Sequence, residues 1–138
     1  MAYYYKIGLL VLNDDSTKFL VCEKDKNDIT DQYIMPGGQM THQTVEECLR
    51  EKIKEELDCE VDFTTLKSIG EFTAPAAGQP DREVAMELYR AKIIGTPKAS
   101  NKIKHLHWIS KEDATNDRVS HIIRSYIIPT LVKKDILK

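Results

Sequence analysis

The chain has 138 residues, of which 41% are hydrophobic and 30% are charged, and its formal net charge is −2. This composition is typical of a globular domain with a hydrophobic core, and it excludes a disordered chain. The small net charge gives no electrostatic reason for binding a nucleic-acid polymer or an anionic membrane. No apolar run approaches the ~20 residues that a membrane-spanning helix needs.

The cysteines Cys22, Cys48 and Cys59 are an odd number without CxxC spacing. We therefore expect neither a disulfide framework nor a structural zinc site. Reduced thiols, and an N-terminus without the features of a signal peptide, favour a cytoplasmic location. We expect one domain over residues 1–138, because no repeat, low-complexity tract or composition shift marks a second one.

The first part of the chain predicts strands. Residues 3–12 and 18–23 are rich in aromatic and aliphatic side chains, and the polar residues between them indicate a turn. A hairpin is the natural connection of two such strands. A glycine pair, Gly37 and Gly38, follows a proline and predicts a tight turn in which backbone can approach a ligand closely.

An acidic helix follows the glycine pair. Thr44 and Glu47 match the S/T-x-x-E pattern of a capping box, which predicts that the helix begins at Val45. At about 100° per residue, Glu56 projects about 20° from Val45, and Lys52 about 20° to the other side. Both charged residues are therefore expected on the inward face, among the apolar residues of the stripe, which are Val45, Cys48, Leu49, Ile53 and Leu57.

A carboxylate on an inward face is costly unless a cation or a metal pairs with it. One interpretation is an ion pair between Lys52 and Glu56, one helical turn apart. The other interpretation is a metal site under the glycine turn, with Glu55 on the flank of the helix. The helix alone leaves both interpretations open.

The stretch PGGQMTHQTVEECLREKIKEELDCEV resembles the Nudix box, Gly-x5-Glu-x7-Arg-Glu-U-x-Glu-Glu-x-Gly-U, where U is aliphatic. Glu55 and Glu56 occupy the Glu-Glu pair, and Gly37 opens the box. The segments GLLVL, EVAMELYRA and HLHWIS are also similar to bacterial Nudix proteins. With Gly37 opening the box, the family's Glu, Arg, Glu and Gly are replaced by Gln43, Glu51, Lys52 and Asp58, and Cys59 takes the final aliphatic position. Opening the box at Gly38 instead puts Thr44 at the first Glu and leaves the Glu pair one place early.

The second half of the chain predicts two long strands. Residues 61–73 form the first, and residues 74–80 predict a loop because two prolines and a glycine resist regular structure. Residues 83–94 alternate well enough for a strand that returns antiparallel. Arg82 closes the loop. Its planar guanidinium could bind a phosphate, or the side chain could simply be solvated.

A strand and a helix complete the chain. Residues 103–110 predict the strand, in which the resemblance places Trp108 in the core and His107 as an exposed neighbour. Residues 119–137 predict an amphipathic helix that Pro129 must kink or split. Its inward residues are expected to be Ile122, Ile123, Tyr126, Ile127, Leu131 and Val132.

Strands joined by hairpin-like turns, with only two long helices, predict an α/β fold with a mixed sheet. Packing the two helices on opposite faces gives an α/β/α sandwich with the mixed β-sheet between the helices, which the Nudix resemblance also implies. The resemblance further implies hydrolysis of a nucleoside diphosphate linked to another group, with Mg²⁺ or Mn²⁺. It makes Glu55 and Glu56 the catalytic residues. The same two and Glu87 would bind the metal, although Glu87 could equally be a solvated strand carboxylate. The residues expected to bind substrate are Gly37, Gly38 and Arg82.

Lys52 places a positive charge where the family has a metal-binding carboxylate, so weakened metal binding and weakened activity are expected. Glu51 could contribute a further carboxylate to the metal. The hydrolase interpretation predicts a small-molecule nucleotide as partner, no nucleic-acid polymer and no membrane, in a monomer or homodimer. The alternative is a non-hydrolysing module of the Nudix fold that binds a nucleotide or a protein.

Overall fold

The computed structural model describes residues 4–25, 32–41, 44–76 and 78–138. A short 3₁₀ turn, Lys111–Thr115, and a π-helical segment, Ile123–Ile127, precede the last helix. The strands and α-helices are β1 (Tyr4–Leu10), β2 (Phe19–Lys24), β3 (Gly37–Gln39), α1 (Val45–Leu57), β4 (Glu60–Ala76), β5 (Gln79–Ile94), β6 (Ile103–Ile109) and α2 (Ile128–Lys133).

The strands form two sheets. The larger sheet has the order β3-β1-β5-β4, in which β1 runs parallel to β5 while the other pairs are antiparallel. This confirms the predicted mixed sheet. The smaller sheet pairs β2 with β6 antiparallel. The expected hairpin of β1 and β2 is reduced to one bridge, between Leu12 and Phe19, because both edges of β1 are occupied by β3 and β5.

The two helical regions cover opposite faces of the larger sheet. Ile7 and Leu9 of β1 pack in one core with α1, whereas Leu10 packs in a second core with the π-helical segment and α2. Alternate residues of a strand point to opposite faces, so β1 contributes to both cores. This arrangement confirms the predicted α/β/α sandwich. Within the residues that the structure describes, no helix combines the length and apolar character needed to cross a membrane.

The predicted loop at residues 74–80 was wrong, because β4 continues through Ala76 and β5 begins at Gln79. Neither proline lies on a stretch of strand that has a partner strand on both sides. Pro75 lies on β4, an edge strand, and Pro80 lies on β5 before its pairing with β1 begins at Val84. The chain therefore makes a long hairpin here, and Arg82 lies within β5 and not in a loop.

The predicted C-terminal helix also differs in detail. Tyr126 and Val132, expected inward, are 43% and 41% exposed. Pro129 cannot donate a hydrogen bond to the preceding turn, and the five residues before Ile128 form a π-helical turn. An extra residue in the turn rotates the apolar stripe, so positions counted at α-helical spacing leave the core.

The strand β6 reverses an expectation drawn from the family resemblance. Trp108 is not a core residue, since it is 43% exposed. His107 is only half-buried: its ring stacks on Tyr33 with centroids 4.2 Å apart, and its Nε2 lies 2.8 Å from Glu23 Oε1. The three cysteines are free thiols and are buried.

Candidate functional site

A cavity of about 500 Å³ lies where β1, β3, β5, the second half of α1 and the start of the C-terminal helical region meet. Its walls combine three kinds of residue. Gly37 and Gly38 contribute backbone, and Met35, Val84, Met86 and Ile122 contribute apolar surface. The charged residues that line it are Lys6, Lys24, Lys52, Lys102, Glu55 and Glu56.

Helix α1 delivers two of these carboxylates, and its ends hold it in place. It begins at Val45 as predicted, with the Thr44 hydroxyl accepting the Glu47 N–H at 3.1 Å. Its predicted stripe is buried at Cys48, Leu49, Ile53 and Leu57. At the other end, the Ser100 N–H donates to the Glu56 carbonyl at 3.1 Å, so the connection after β5 caps the last turn.

Glu56 is half-buried on the face that the sequence predicted. Its Oε1 accepts a hydrogen bond of 2.8 Å from the Gly37 N–H. Burial raises the pKa of the Glu56 carboxyl from 4.5 to about 7, because loss of water disfavours the charged form. The Gly37 N–H opposes this increase in pKa, as do Lys24, Lys52 and Lys6 in decreasing order. Near neutral pH the group can therefore accept or release a proton.

The glycine pair forms strand β3 and not the predicted tight turn, because Gly37 pairs with Gly8 and Gly38 pairs with Ile7 of β1. Gly37 has φ +132°, and a Cβ there would lie 2.0 Å from the Ile7 carbonyl oxygen. A Cβ on Gly38 would lie 3.0 Å from Lys52 Cδ. The pair is thus required by the close approach of β1 and of the Lys52 stem, and it lines the cavity as well.

Lys52 forms an ion pair with Glu55, whereas one of the two interpretations of the sequence paired it with Glu56. Its Nζ lies 3.9 Å from Glu55 Oε2, and the side chains are 24% and 42% exposed respectively. Lys52 still lowers the pKa of Glu56 through space. The predicted inward position of Lys52 is therefore found, with a different direct partner.

Glu87 and Arg82 do not line this cavity. Glu87 accepts hydrogen bonds from the hydroxyl groups of Tyr5, at 2.5 Å, and of Tyr89, at 3.3 Å. This carboxylate raises the pKa of Tyr5 to about 12, mainly through the hydrogen bond. Arg82 Nη1 lies 3.4 Å from the hydroxyl of Tyr4, a residue of the cavity wall.

A family model described as NUDIX domain matches residues 3–131. The chain belongs to the Nudix family. No curated protein matches it significantly.

Several solved structures share the fold at low sequence identity. The chain is 15% identical to the MutT protein from Methanosarcina mazei Go1, with a TM-score of 0.75 and 96% of each chain covered. It is 16% identical to the E. coli ORF135 protein, with a TM-score of 0.73 and coverage of 98% of this chain and 92% of that one. It is 11% identical to the NUDIX domain of Shewanella oneidensis NrtR, which was solved with ADP ribose. For that structure the TM-score is 0.71, with coverage of 97% of this chain and 89% of that one.

The Nudix family implies a divalent metal, for which carboxylates are the usual protein ligands. In the described ranges of the chain, no group of three or more His, Cys, Asp or Glu residues is placed to hold an ion. Glu55 and Glu56 do line one cavity, and two carboxylates are enough for Mg²⁺, which keeps several waters. Glu51 is exposed and outside the cavity wall, and Gln43 falls outside the described residues. The donors therefore fit in number, while the surrounding lysines oppose the charge of a cation.

Among the residues that line this Nudix cavity, sequence analysis did not single out Ser120 or three of the lysines, which are Lys6, Lys24 and Lys102. No motif joins them, because they come from distant parts of the chain. Lys24 ends β2, and Ser120 precedes the C-terminal helical region. The predicted alternation of β5 does place Val84 and Met86 on one face, and it was the available clue to the apolar wall.

Proposed function

We propose that this Nudix protein binds a small molecule containing a nucleoside diphosphate in the cavity and hydrolyses the diphosphate slowly. The observation that carries the proposal is the position of Glu56 in the same cavity wall as Glu55, where it accepts a hydrogen bond from the Gly37 amide. Glu56 can serve there as a metal ligand or, when no metal is bound to it, as the group that takes a proton from the attacking water, since its metal-free pKa of about 7 lies near neutral pH. The free buried thiols support a reducing compartment such as the cytoplasm.

A Mg²⁺ or Mn²⁺ ion held by Glu55 and Glu56 would neutralise phosphate charge and polarise the bond to be broken. The chain's own residues supply position and charge. Lys6, Lys24 and Lys52 line the same cavity and can hold phosphate oxygens near Glu56. Lys52 weakens a cation site beside Glu55, which is the reason for proposing slow turnover.

The test is a hydrolysis panel with purified protein. Nucleoside triphosphates, nucleotide sugars and ADP-ribose would be incubated with Mg²⁺ or Mn²⁺, and phosphate, pyrophosphate and nucleoside monophosphate measured. ADP-ribose is included because the Nudix domain of NrtR was solved with it. We expect slow release from at least one compound and at least a tenfold loss in Glu56→Gln, since removal of a general base typically costs ~10²–10⁴-fold. Absence of turnover across the panel, or equal turnover in the variant, contradicts the hydrolase proposal.

Lys52 supports a second candidate, a non-hydrolysing Nudix module. An ammonium stands at a box position where the family has a carboxylate, and its Nζ lies 3.9 Å from Glu55. Calorimetry separates the candidates without knowledge of the natural substrate. Nucleotide binding without turnover supports a nucleotide-binding module, and the absence of nucleotide binding leaves a module that binds a protein.

A further inference from the structure

The described residues that line the cavity have a positive charge balance, whereas the chain is negative overall. Among them are four lysines and two glutamates, which give a formal charge of +2 (4 − 2) when all are ionised. The whole chain has a formal charge of −2. A concave, cationic surface on an anionic protein favours an anionic ligand.

Three of the lysines converge from different elements. Lys6 lies on β1, Lys24 on β2 and Lys52 on α1, and all three are half-buried. Each is close enough to Glu56 to act on its carboxyl through space. A Cβ added to Gly38 would lie 3.0 Å from Lys52 Cδ, so glycine at this position leaves room for the Lys52 side chain. Partly buried ammonium groups interact with an anion more strongly than exposed ones, because water screens them less.

Ser120 gives an independent indication of a ligand in the same cavity. It is 2% exposed, and its Oγ is the buried side-chain oxygen or nitrogen without a hydrogen-bond partner in the described part of the chain. Its backbone N–H donates to the Tyr33 carbonyl at 3.1 Å, so only the hydroxyl lacks a partner. Leaving a buried hydroxyl unsatisfied costs free energy, which a bound ligand can restore. Val84, Met86 and Ile122 add apolar surface to the same wall.

We propose that Lys6, Lys24 and Lys52 bind the diphosphate of a nucleoside diphosphate directly, so that binding of this ligand needs no divalent metal, while the Ser120 hydroxyl bonds to its nucleoside. This assignment rests on the proposed function for its ligand class but goes beyond it in the means of binding. Lysine is a donor without acceptor capacity, so three lysines can neutralise a diphosphate without help from a cation. Mg²⁺ bound to the ligand would lower its negative charge and would add repulsion from the lysines.

The test is calorimetry with ADP and with inorganic pyrophosphate, in EDTA and in excess Mg²⁺. We expect ADP to bind in EDTA and Mg²⁺ to leave its affinity unchanged or lower it. Lys52→Met keeps the stem against Gly38 and removes the charge, and we expect at least a ~10-fold loss of affinity for both ligands, typical of one charge-assisted hydrogen bond. Lys6→Met should give a similar loss. The matched control is Lys54→Met, on the same helix but 62% exposed and outside the cavity, which should change affinity less than ~2-fold.

Ser120→Ala separates the nucleoside part of the ligand from the diphosphate. We expect a ~5-fold or greater loss for ADP and no change for pyrophosphate, since one neutral hydrogen bond is worth about 1 kcal/mol. Thermal melts check that each variant is folded.

The outcomes separate the lysine assignment from the proposed function. ADP binding that requires Mg²⁺ overturns the lysine assignment and leaves the proposed function intact. Binding in EDTA that survives both Lys52→Met and Lys6→Met overturns the assignment as well. Equal losses for ADP and pyrophosphate in Ser120→Ala overturn the role of the hydroxyl. Absence of binding under every condition overturns the proposed function itself.

Discussion

At the residue scale, Glu56 gives the protein a specific pH dependence of stability. The pKa of its carboxyl is raised from 4.5 to about 7 in the folded state, chiefly by burial. Between these two pH values the folded chain keeps a proton that the unfolded chain has released. The free energy of unfolding therefore falls as the pH rises through this interval, and this contribution is fully present only below pH 4.5.

Glu56→Gln should remove this fall in the free energy of unfolding with rising pH. The amide oxygen can still accept the Gly37 N–H, and no charge appears in the cavity wall as the pH rises. As the pH rises from 4.5 to 8, we expect the free energy of unfolding of the variant to increase relative to that of the parent by on the order of 1–3 kcal/mol. Urea unfolding at several pH values measures the difference. Glu60→Gln, an exposed control at the start of β4, should show the same pH dependence of stability as the parent. If the stability of Glu56→Gln also ran parallel to that of the parent across this pH range, the raised pKa of Glu56 would be contradicted.

Lys52→Glu restores the carboxylate of the family pattern and should have two opposite effects. Without metal, the introduced carboxylate joins Glu55 and Glu56 in one acidic cluster, and we expect a loss of about 1–3 kcal/mol from their repulsion. With millimolar Mg²⁺ or Mn²⁺, binding to the folded state should restore stability, and hydrolysis should rise. Thermal melts with and without metal, together with the hydrolysis panel, measure both.

The control for this charge reversal is Lys54→Glu on the same helix. Lys54 is 62% exposed and pairs with Asp58 at 3.5 Å, outside the cavity wall. We expect a small loss of stability and no response to metal. A metal response of equal size in the two variants would mean that the position of Lys52 is not special.

The sequence predicted which face of α1 carries Glu56 and Lys52, because helical spacing fixes direction around one axis. It did not predict their partners. Glu56 meets the Gly37 amide only after β3 pairs with β1, and this long-range contact has no local pattern. The same holds for Ser120, which lies far along the chain from Glu56 and carries no recognisable signal.

At the scale of elements, the end of α1 explains a departure from the family pattern. Asp58 stands where the Nudix box has glycine, and it adopts the left-handed conformation with φ 52° and ψ 39°. Its N–H donates to the Lys54 carbonyl. This conformation is strained for residues with a Cβ, and aspartate tolerates it better than most.

Asp58→Gly should therefore raise the free energy of unfolding by about 0.5 kcal/mol, the relief of strain less the entropy cost of glycine. Asp58→Ala is the matched control, since it also removes the Lys54 ion pair but keeps a Cβ, and we expect it to lower stability. Chemical denaturation of the two variants gives the comparison. Equal losses in both would show that the ion pair matters more than the backbone conformation.

The existence of most elements was predictable, while two of their boundaries were not. Proline and glycine content predicted a loop at residues 74–80, yet the edge position of β4 allows Pro75 within a strand. Whether a strand lies at the edge of a sheet depends on the order of the strands, and this order could not be predicted from the sequence. At Pro129 the break was predicted, but not the π-helical turn before it that rotates Tyr126 outward.

At the scale of the whole molecule, a charged cluster around Glu23 joins the smaller sheet to the C-terminal helical region. Glu23 on β2 contacts His107 of β6 at 2.8 Å, and Lys104 and Arg118 each at 3.8 Å. The Arg118 guanidinium also lies 5.1 Å from the centroid of the Tyr33 ring. The cluster thus connects β2, β6 and the segment before Val119.

The hydrogen bond from His107 is the main cause that lowers the pKa of Glu23 from its ordinary 4.5, and Lys104 and Arg118 contribute in the same direction. A carboxyl with a lowered pKa in the folded state stabilises the protein at pH values above 4.5. As the pH falls below that value, the unfolded chain takes up a proton first, and the stabilisation is lost through the folded-state pKa. The contribution of Glu23 to the free energy of unfolding therefore increases with rising pH, whereas the contribution of Glu56 decreases.

Glu23→Gln should consequently lower the free energy of unfolding at pH 7 by about 0.5–2 kcal/mol, since the Glu23 side chain is only 12% exposed and its partners lose a charge. The difference from the parent should shrink as the pH falls well below 4.5, where the parent's carboxyl is protonated as well. Denaturant unfolding of both proteins across the acid range measures this convergence. Glu83→Gln, an exposed control on β5, should track the parent at every pH. A gap between parent and Glu23→Gln that stays constant down to low pH would mean that the cluster stabilises the fold by packing, because charge pairing with a carboxylate must disappear when the carboxylate is protonated.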